Sequence, residues 1–148
     1  MQNNIELKKE FRRGTRLRDQ RKYSEAITCF NELVRNPSFS DESYKFHLVL
    51  GGIYNELKMY EKALRSFTIC LSKKTNCELA SLGKYIAFVK LEQYDNALKE
   101  VINFLKYYPA NLYLDTLEEL KVEIKEGHIN NPEFIKSIQV IFLKYNMA

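Results

Sequence analysis

Apolar residues along this chain recur at the spacing of an α-helix, and the same set returns three times. In each set, apolar positions follow an alanine at offsets of 1, 4, 7 and 8 residues, which places them on one helical stripe. The sets are Ala26, Ile27, Phe30, Leu33 and Val34; Ala63, Leu64, Phe67, Cys70 and Leu71; and Ala97, Leu98, Val101, Phe104 and Leu105. The second set begins 37 residues after the first and the third 34 residues after the second, a period typical of helical repeat arrays.

A further helix precedes each stripe and has a less regular pattern. Gly14 and Gly51 stand at matched positions in the first two copies. A glycine inside a helix costs about 1 kcal/mol relative to alanine, so its recurrence indicates close helix packing that offsets the cost. One helix pair cannot bury its stripe alone, and the pattern therefore predicts pairs that stack on one another.

In these positions the chain resembles the tetratricopeptide repeat family. The second copy matches the signatures of both helices of that family through Leu50, Gly51, Tyr54, Ala63 and Phe67. The first copy keeps Gly14, Ala26, Phe30 and Pro37; the third keeps Ala97 and Pro109 but departs at Tyr85 and Val101. No copy has the family's tryptophan, and His47 takes its place in the second. The resemblance covers about residues 7–110.

The resemblance implies an all-α, right-handed helical-hairpin solenoid of about eight helices, in one domain that spans residues 1–148. Three repeats are predicted at about 7–40, 44–77 and 78–110, followed by capping helices at 111–148. The apolar periodicity predicts helices at about 5–20, 24–36, 41–57, 61–73, 77–91, 95–107, 112–126 and 132–146.

Local signals predict where several of these helices begin and end. Ser40 and Asn111 are predicted to cap the third and seventh helices. Gly127 suits the exit of the seventh helix, and Asn131 with Pro132 is predicted to open the eighth.

The resemblance implies that the first helix of each pair lines a concave groove. The positions expected to face this groove are Lys8, Arg12, Thr15, Asp19, Lys45, Leu48, Gly52, Asn55, Leu79, Leu82, Ile86 and Val89. One end of this set is mostly basic and the other is apolar. The alternative is that these residues are solvated surface or pack against the terminal helices.

The expected function is a protein-interaction module that binds one protein or peptide partner, with an acidic partner surface one option. The roles of inhibitor or immunity protein, chaperone and adaptor all remain open. Some family members clamp a chaperone's terminal carboxylate with Lys, Asn and Arg side chains. Phe11 and Thr15 in the first repeat, and Leu82 and Gly83 in the third, depart from that set and disfavour such a clamp.

The net charge of +4 is modest, but the first helix is strongly basic. Its basic residues offer an alternative function, the binding of nucleic acid or another anionic surface. Few aromatic residues lie among them to stack on bases, which makes nucleic acid the weaker option. A third option is a structural homo-oligomer through residues 132–148, because the final helix is apolar on more than one face.

No pattern in the chain indicates catalysis. The two histidines, His47 and His128, belong to no metal-ligand spacing, and there is no phosphate loop or nucleophile motif. We therefore expect no enzyme activity, no cofactor and no metal. The N-terminus does not read as a signal peptide, and no apolar run is long enough to span a membrane. The three cysteines have no paired spacing, which favours reduced thiols in a cytoplasmic protein.

Overall fold

Eight α-helices account for most of residues 2–147, the part of the chain that the computed structural model describes. They are α1 (Gln2–Asp19), α2 (Tyr23–Arg35), α3 (Ser43–Glu56), α4 (Tyr60–Lys73), α5 (Glu78–Lys90), α6 (Tyr94–Tyr107), α7 (Leu114–Lys125) and α8 (Pro132–Lys144). No strand occurs in the described range, so the all-α prediction is confirmed. Met1 and Ala148, the ends of the predicted domain and of its capping segment, lie outside the described residues.

The helices pack as consecutive hairpins. Each first helix packs against the second helix of its own pair (α1 with α2, α3 with α4, α5 with α6), and each second helix packs against the next pair. In addition, α3 contacts α5 directly, so the first helices of the second and third pairs lie side by side. The predicted array of stacked hairpins is confirmed. Among the described residues, no helix is both long and apolar enough to cross a membrane.

The repeated alanine column lies at the centre of the hairpins. Ala26, Ala63 and Ala97 are all buried, which lets the neighbouring first helix approach each second helix closely. Beside Ala63, the ring of Phe67 is enclosed between two glycines. A Cβ added at Gly51 would lie 2.5 Å from Phe67, and one added at Gly83, in the next repeat, would lie 2.4 Å from it. Both glycines are therefore required by the position of this ring.

In the third repeat, the large side chain lies on the first helix and the small one on the second, the reverse of the other two repeats. Where the first two copies pair a glycine with a phenylalanine, the third has Tyr85 and Val101. Tyr85 packs against the apolar cluster that contains Val101, and its ring meets Tyr113 edge-on at a centroid distance of 6.3 Å. The departure from the family pattern at these two positions is thus an exchange of large for small that keeps the interior filled.

The three turns inside the hairpins share one backbone geometry. Arg21, Lys58 and Glu92 each have φ of 59°, the left-handed conformation that glycine favours. In each turn the following residue donates its N–H to a carbonyl five residues back; for Met59 and Tyr54 the N···O distance is 2.8 Å. These contacts satisfy carbonyl groups at the end of the first helix and aim the chain into the second.

The last two helices cover α6. Leu98 and Val101 of α6, Leu117 of α7 and Ile138 of α8 belong to one buried cluster. Gly127 has φ of +79°, as predicted for the exit of α7. Asn131 caps α8 as predicted, because its side chain accepts hydrogen bonds from the N–H groups of Glu133 and Phe134.

Two of the predicted caps are wrong. Ser40 lies inside a short 3-10 helix, Pro37–Glu42, whose first turn is capped by Asn36, and α3 begins only at Ser43. Asn111 begins another short 3-10 helix, Asn111–Tyr113, and α7 follows at Leu114 without a side-chain cap. The buried Tyr113 sets this start, because its hydroxyl is held by Ser81 in the interior.

Candidate functional site

The twelve residues predicted to face the groove all remain at least partly accessible in the hairpin array. None of them is buried. In α3 and α5 several residues between them are buried, whereas in α1 only Gly14 is. Leu79 and Ile86 are the most exposed apolar members, at 57% and 40%. We call this set of twelve residues the groove face.

The basic end of the groove face surrounds a small cavity of about 220 Å³ between α1 and α3. Lys8, Arg12 and Lys45 stand around it, and Phe11 and Phe46 form its apolar part. Lys45 is hydrogen-bonded to Glu42, and this contact raises the pKa of the Lys45 ammonium group. Glu42 also lines the cavity and offsets the charge of Lys45, so the net positive charge over its two phenylalanine rings comes from Lys8 and Arg12.

The apolar end lies between α3 and α5, around a cavity of about 500 Å³. Leu79, Leu82 and Ile86 line one side of it. Gly52 lines the other side, and nothing lies within 4 Å of the place where its Cβ would be. This end offers an open apolar surface where a side chain or backbone segment could lie.

Asn55 joins the two helices within this apolar end. Its side-chain N–H donates to the carbonyl of Gly83 at 3.2 Å. Within residues 2–147, its Oδ1 atom is buried and accepts no hydrogen bond. An unpaired buried acceptor costs about 1–3 kcal/mol, so this oxygen would gain from a donor brought by a partner.

The remaining members of the groove face are not gathered into one site. Asp19 forms an ion pair with Arg18, and the hydroxyl of Thr15 donates to the carbonyl of Arg12. Leu48 packs against the buried cluster around Phe67. Val89 instead borders a separate cavity of about 560 Å³ beside α7.

That separate cavity brings together residues that the sequence analysis did not connect. Glu119 and Glu123 of α7 border it together with Tyr85, and His128 lies beside them. Burial, followed by the two carboxylates, raises the pKa of Tyr85, so its hydroxyl keeps its proton. The acidic charge here contrasts with the basic end of the groove face.

A cluster with metal-ligand chemistry lies at the edge of the same cavity. Nδ1 of His128 is 3.0 Å from Glu123 and 3.6 Å from Glu126, and all three side chains are exposed to solvent. The ligand atoms lie close enough together to hold an ion. They also suit simple ion pairing with a protonated imidazole. Spacing along the chain did not reveal this cluster, because the turn at Gly127 brings the three side chains together.

Comparison with known proteins finds one informative similarity. Over 97 residues the chain is 30% identical to the TPR repeat-containing protein MJ1428 of Methanocaldococcus jannaschii. The aligned part covers 66% of this chain but spans only 17% of that relative. No family model matches the chain. No solved structure matches it significantly.

Proposed function

We propose that this chain is an interaction module of the tetratricopeptide-repeat type rather than a catalyst, because its repeat signature and its stacked helical hairpins resemble those of that family. Its groove face binds one protein or peptide partner. The observation that carries the proposal is that all twelve groove positions stay unburied, while in α3 and α5 neighbouring residues form the core. The similarity to another repeat protein supports the same general role.

The chemistry of the groove face defines the partner. At the basic end, Lys8, Arg12 and Lys45 suit a carboxylate or another acidic group. At the other end, Leu79 and Ile86 would bury apolar side chains, which contributes about 25 cal/mol for each Å² removed from water. The partner is therefore a segment with acidic residues at one end and apolar residues at the other.

Asn55 adds a polar contact between these two ends. Its amide is held in place by the carbonyl of Gly83, which leaves Oδ1 as the free acceptor. A backbone N–H of the partner would reach it only if the Asn55 side chain turned towards the cavity that Gly52 also lines. This contact would orient the bound segment without specifying its sequence.

A matched pair of surface variants tests the proposal. Ile86 on the groove face and Ile69 on α4 are both 40% exposed, so glutamate at either position has a similar effect on the free chain. The partner is recovered by native affinity capture with the wild-type chain, and its Kd is measured by calorimetry. We expect Ile86→Glu to weaken binding about ten-fold or more and Ile69→Glu to leave it unchanged. Equal Kd values for the two variants would contradict the proposed site.

Salt dependence distinguishes this function from the binding of nucleic acid through α1. Binding to a phosphate backbone loses about three to five orders of magnitude in affinity between 50 and 200 mM salt when six to ten phosphates are contacted. A contact that includes the apolar end should lose much less. A steep salt slope, together with loss of binding in Arg12→Glu/Arg16→Glu, would favour the anionic-surface alternative.

A second candidate function is self-association through α8. Val140 and Leu143 are 51% and 64% exposed on this helix, whereas Ile138, Ile141 and Phe142 are buried. An exposed apolar face of this kind is common at protein contacts. Sedimentation equilibrium of the wild type and of Leu143→Glu tests the idea, and a wild-type chain that is already monomeric at high concentration would exclude it.

The role of the interaction follows from the partner that is captured. A dedicated inhibitor or immunity protein should bind one enzyme or toxin and abolish its activity. A chaperone should instead keep its partner soluble without blocking an active site. Activity and solubility assays on the recovered complex distinguish these two roles.

A further inference from the structure

Three similar cavities lie where successive helix pairs meet. Each is bordered by the later part of one first helix, by the tyrosine that begins the following second helix and by the first helix of the next pair. These tyrosines are Tyr23, Tyr60 and Tyr94, which occupy the same position in the three copies. In chain order the cavities have volumes of about 410, 500 and 560 Å³, and the third is the one beside α7. The chain therefore allows one kind of cavity to be compared at three places.

The charges that border the three cavities differ. Two arginines and two carboxylates border the first, and two lysines and one carboxylate border the second. Within residues 2–147, no lysine or arginine borders the third cavity, and its charged groups are Glu119 and Glu123 of α7, beside the imidazole of His128. The third cavity is therefore the acidic one, and its charge attracts cations although the whole chain carries a net charge of +4.

Apolar side chains and two aromatic rings complete the third cavity. Ala97, Leu98 and Leu120, which are all buried, form its apolar part. Tyr85 packs against the buried cluster that contains these leucines, which holds its ring in place, whereas Tyr94 is 57% exposed. A volume of about 560 Å³ and a mainly apolar lining with a few polar groups are typical of a site for a small ligand.

The two carboxylates of this cavity can act on one ligand. Glu119 and Glu123 are four residues apart on α7, so their side chains are neighbours on one face of the helix. Within residues 2–147, Glu119 forms no ion pair or hydrogen bond, whereas Glu123 lies 3.0 Å from Nδ1 of His128. An incoming cation therefore meets a free carboxylate at Glu119 and competes with His128 for Glu123.

From this arrangement we propose that the third cavity binds an alkylammonium group, the chemistry of a free polyamine or of a lysine side chain. The ammonium group donates hydrogen bonds to the carboxylates of Glu119 and Glu123. The alkyl stem lies against the apolar part of the cavity. The rings of Tyr85 and Tyr94 attract the positive charge through their faces. The site does not depend on which partner the groove face binds.

His128 distinguishes this ligand from a metal ion. A metal ion would be held by Nδ1 of His128 together with Glu123 and Glu126, so replacement of the histidine would weaken its binding. An alkylammonium group instead competes with His128 for Glu123. We therefore expect His128→Gln to bind the alkylammonium group at least as tightly as the wild type does.

The test titrates the full chain separately with spermidine and with acetyl-lysine methylamide, and follows the backbone amide signals by NMR at physiological ionic strength. We expect the signals of residues around the third cavity to shift most. The norleucine counterpart of the lysine derivative, which keeps the alkyl stem without the ammonium group, should not bind. Tighter binding of spermidine would identify a free polyamine as the ligand, and tighter binding of the lysine derivative would identify a protein side chain.

Matched variants test the individual contacts. Glu119→Gln/Glu123→Gln should weaken binding about ten-fold or more, because both charged acceptors are lost. Glu118→Gln removes the same kind of charge from an exposed position of α7 that does not border the cavity, and should change Kd less than about two-fold. Tyr94→Leu should weaken binding about two- to five-fold, whereas Tyr107→Leu, at a 70% exposed position of α6 outside the cavity, should have no effect.

Three results would overturn the proposal. The first is that neither ammonium probe shifts the signals around the cavity at about 10 mM. The second is an equal loss of affinity in Glu118→Gln and in Glu119→Gln/Glu123→Gln, which would mean that the probes respond only to the diffuse charge of α7. The third is loss of binding in His128→Gln, which would mean that the imidazole holds the ligand.

Discussion

The ring of Phe67 fits where it does because two glycines leave room for it. Gly51 of α3 and Gly83 of α5 lie against the same ring, which is only 2% exposed and cannot move aside. Gly51 is part of the family signature and could be identified from the sequence. Gly83 follows no repeat pattern, and only its contact with Phe67 explains it. At the scale of one residue, packing between repeats therefore explains a glycine that the repeat pattern does not predict.

Neighbouring glycines of α3 give a matched test of this packing. Gly51→Ala would place its Cβ against Phe67, and we expect it to lower the free energy of unfolding by about 1–3 kcal/mol despite the better helix propensity of alanine. Gly52→Ala meets nothing within 4 Å and should raise that free energy by up to about 1 kcal/mol. Urea unfolding of both variants measures the difference, and two changes of the same sign would contradict the packing argument.

His47 gives a pH-dependent test at the same scale. Burial, followed by the nearby Lys73, lowers its pKa below 6.5, so the unfolded chain binds the proton more readily than the folded one. The stability that comes from the neutral imidazole is complete above pH 6.5 and is lost as pH falls from there towards the folded pKa. We expect the free energy of unfolding of the wild type to fall more between pH 7 and about pH 5 than that of His47→Phe. Parallel pH profiles would exclude this role.

At the scale of the element, the hairpin turns are the least expected feature. Arg21, Lys58 and Glu92 adopt a left-handed backbone that costs a non-glycine residue about 1 kcal/mol. Their recurrence at the repeat spacing shows that the geometry belongs to the hairpin and not to the residue type. Sequence signals for turns rely on glycine and proline, so these three positions carry no such signal.

This strain predicts opposite effects of glycine at two nearby exposed positions. Lys58→Gly relieves the left-handed strain and should raise the free energy of unfolding by up to about 1 kcal/mol. Arg65→Gly, in the interior of α4, should lower it by about 1 kcal/mol because glycine is a poor helix former. Thermal and urea unfolding give both values. A loss of stability in Lys58→Gly would mean that the turn is not strained.

At the scale of the whole molecule, a buried polar network joins the third repeat to the final helices. The hydroxyl of Ser81 donates to Glu100 at 2.7 Å and, having one hydrogen, accepts from Tyr113 at 2.6 Å. Lys84 completes the network through an ion pair of 3.0 Å with Glu100. These contacts link α5, α6 and the segment before α7, so the array and its C-terminal helices should unfold together.

Removal of one partner from this network tests that coupling. We expect Ser81→Ala to lower the free energy of unfolding by about 1–3 kcal/mol, because the buried hydroxyl of Tyr113 loses its acceptor. Tyr113→Phe should cost about 1 kcal/mol, and the double variant should cost less than the two single costs added together. Tyr108→Phe, which removes an exposed hydrogen bond to Thr75, is the control and should have a smaller effect. Additive costs for Ser81 and Tyr113 would show that the two sites are independent.

The amino-acid sequence by itself determined the helices and their pairing into hairpins. Apolar spacing is a local property, since a stripe such as Ala63, Phe67 and Cys70 can be recognised within one helix. Its repetition along the chain predicts which helices stack. The cap at Asn131 and the exit at Gly127 were predicted for the same reason, because each acts within one turn of its own helix.

Only the tertiary structure decided the features that join distant parts of the chain. Ser40 and Asn111 failed as caps because packing, and not the nearest polar side chain, set where α3 and α7 begin. The enclosure of Phe67 by Gly83 and the hydrogen bond between Ser81 and Tyr113 both depend on how close neighbouring helices lie. A local sequence pattern contains no information about the distance between two helices, and these contacts form only when the hairpins stack.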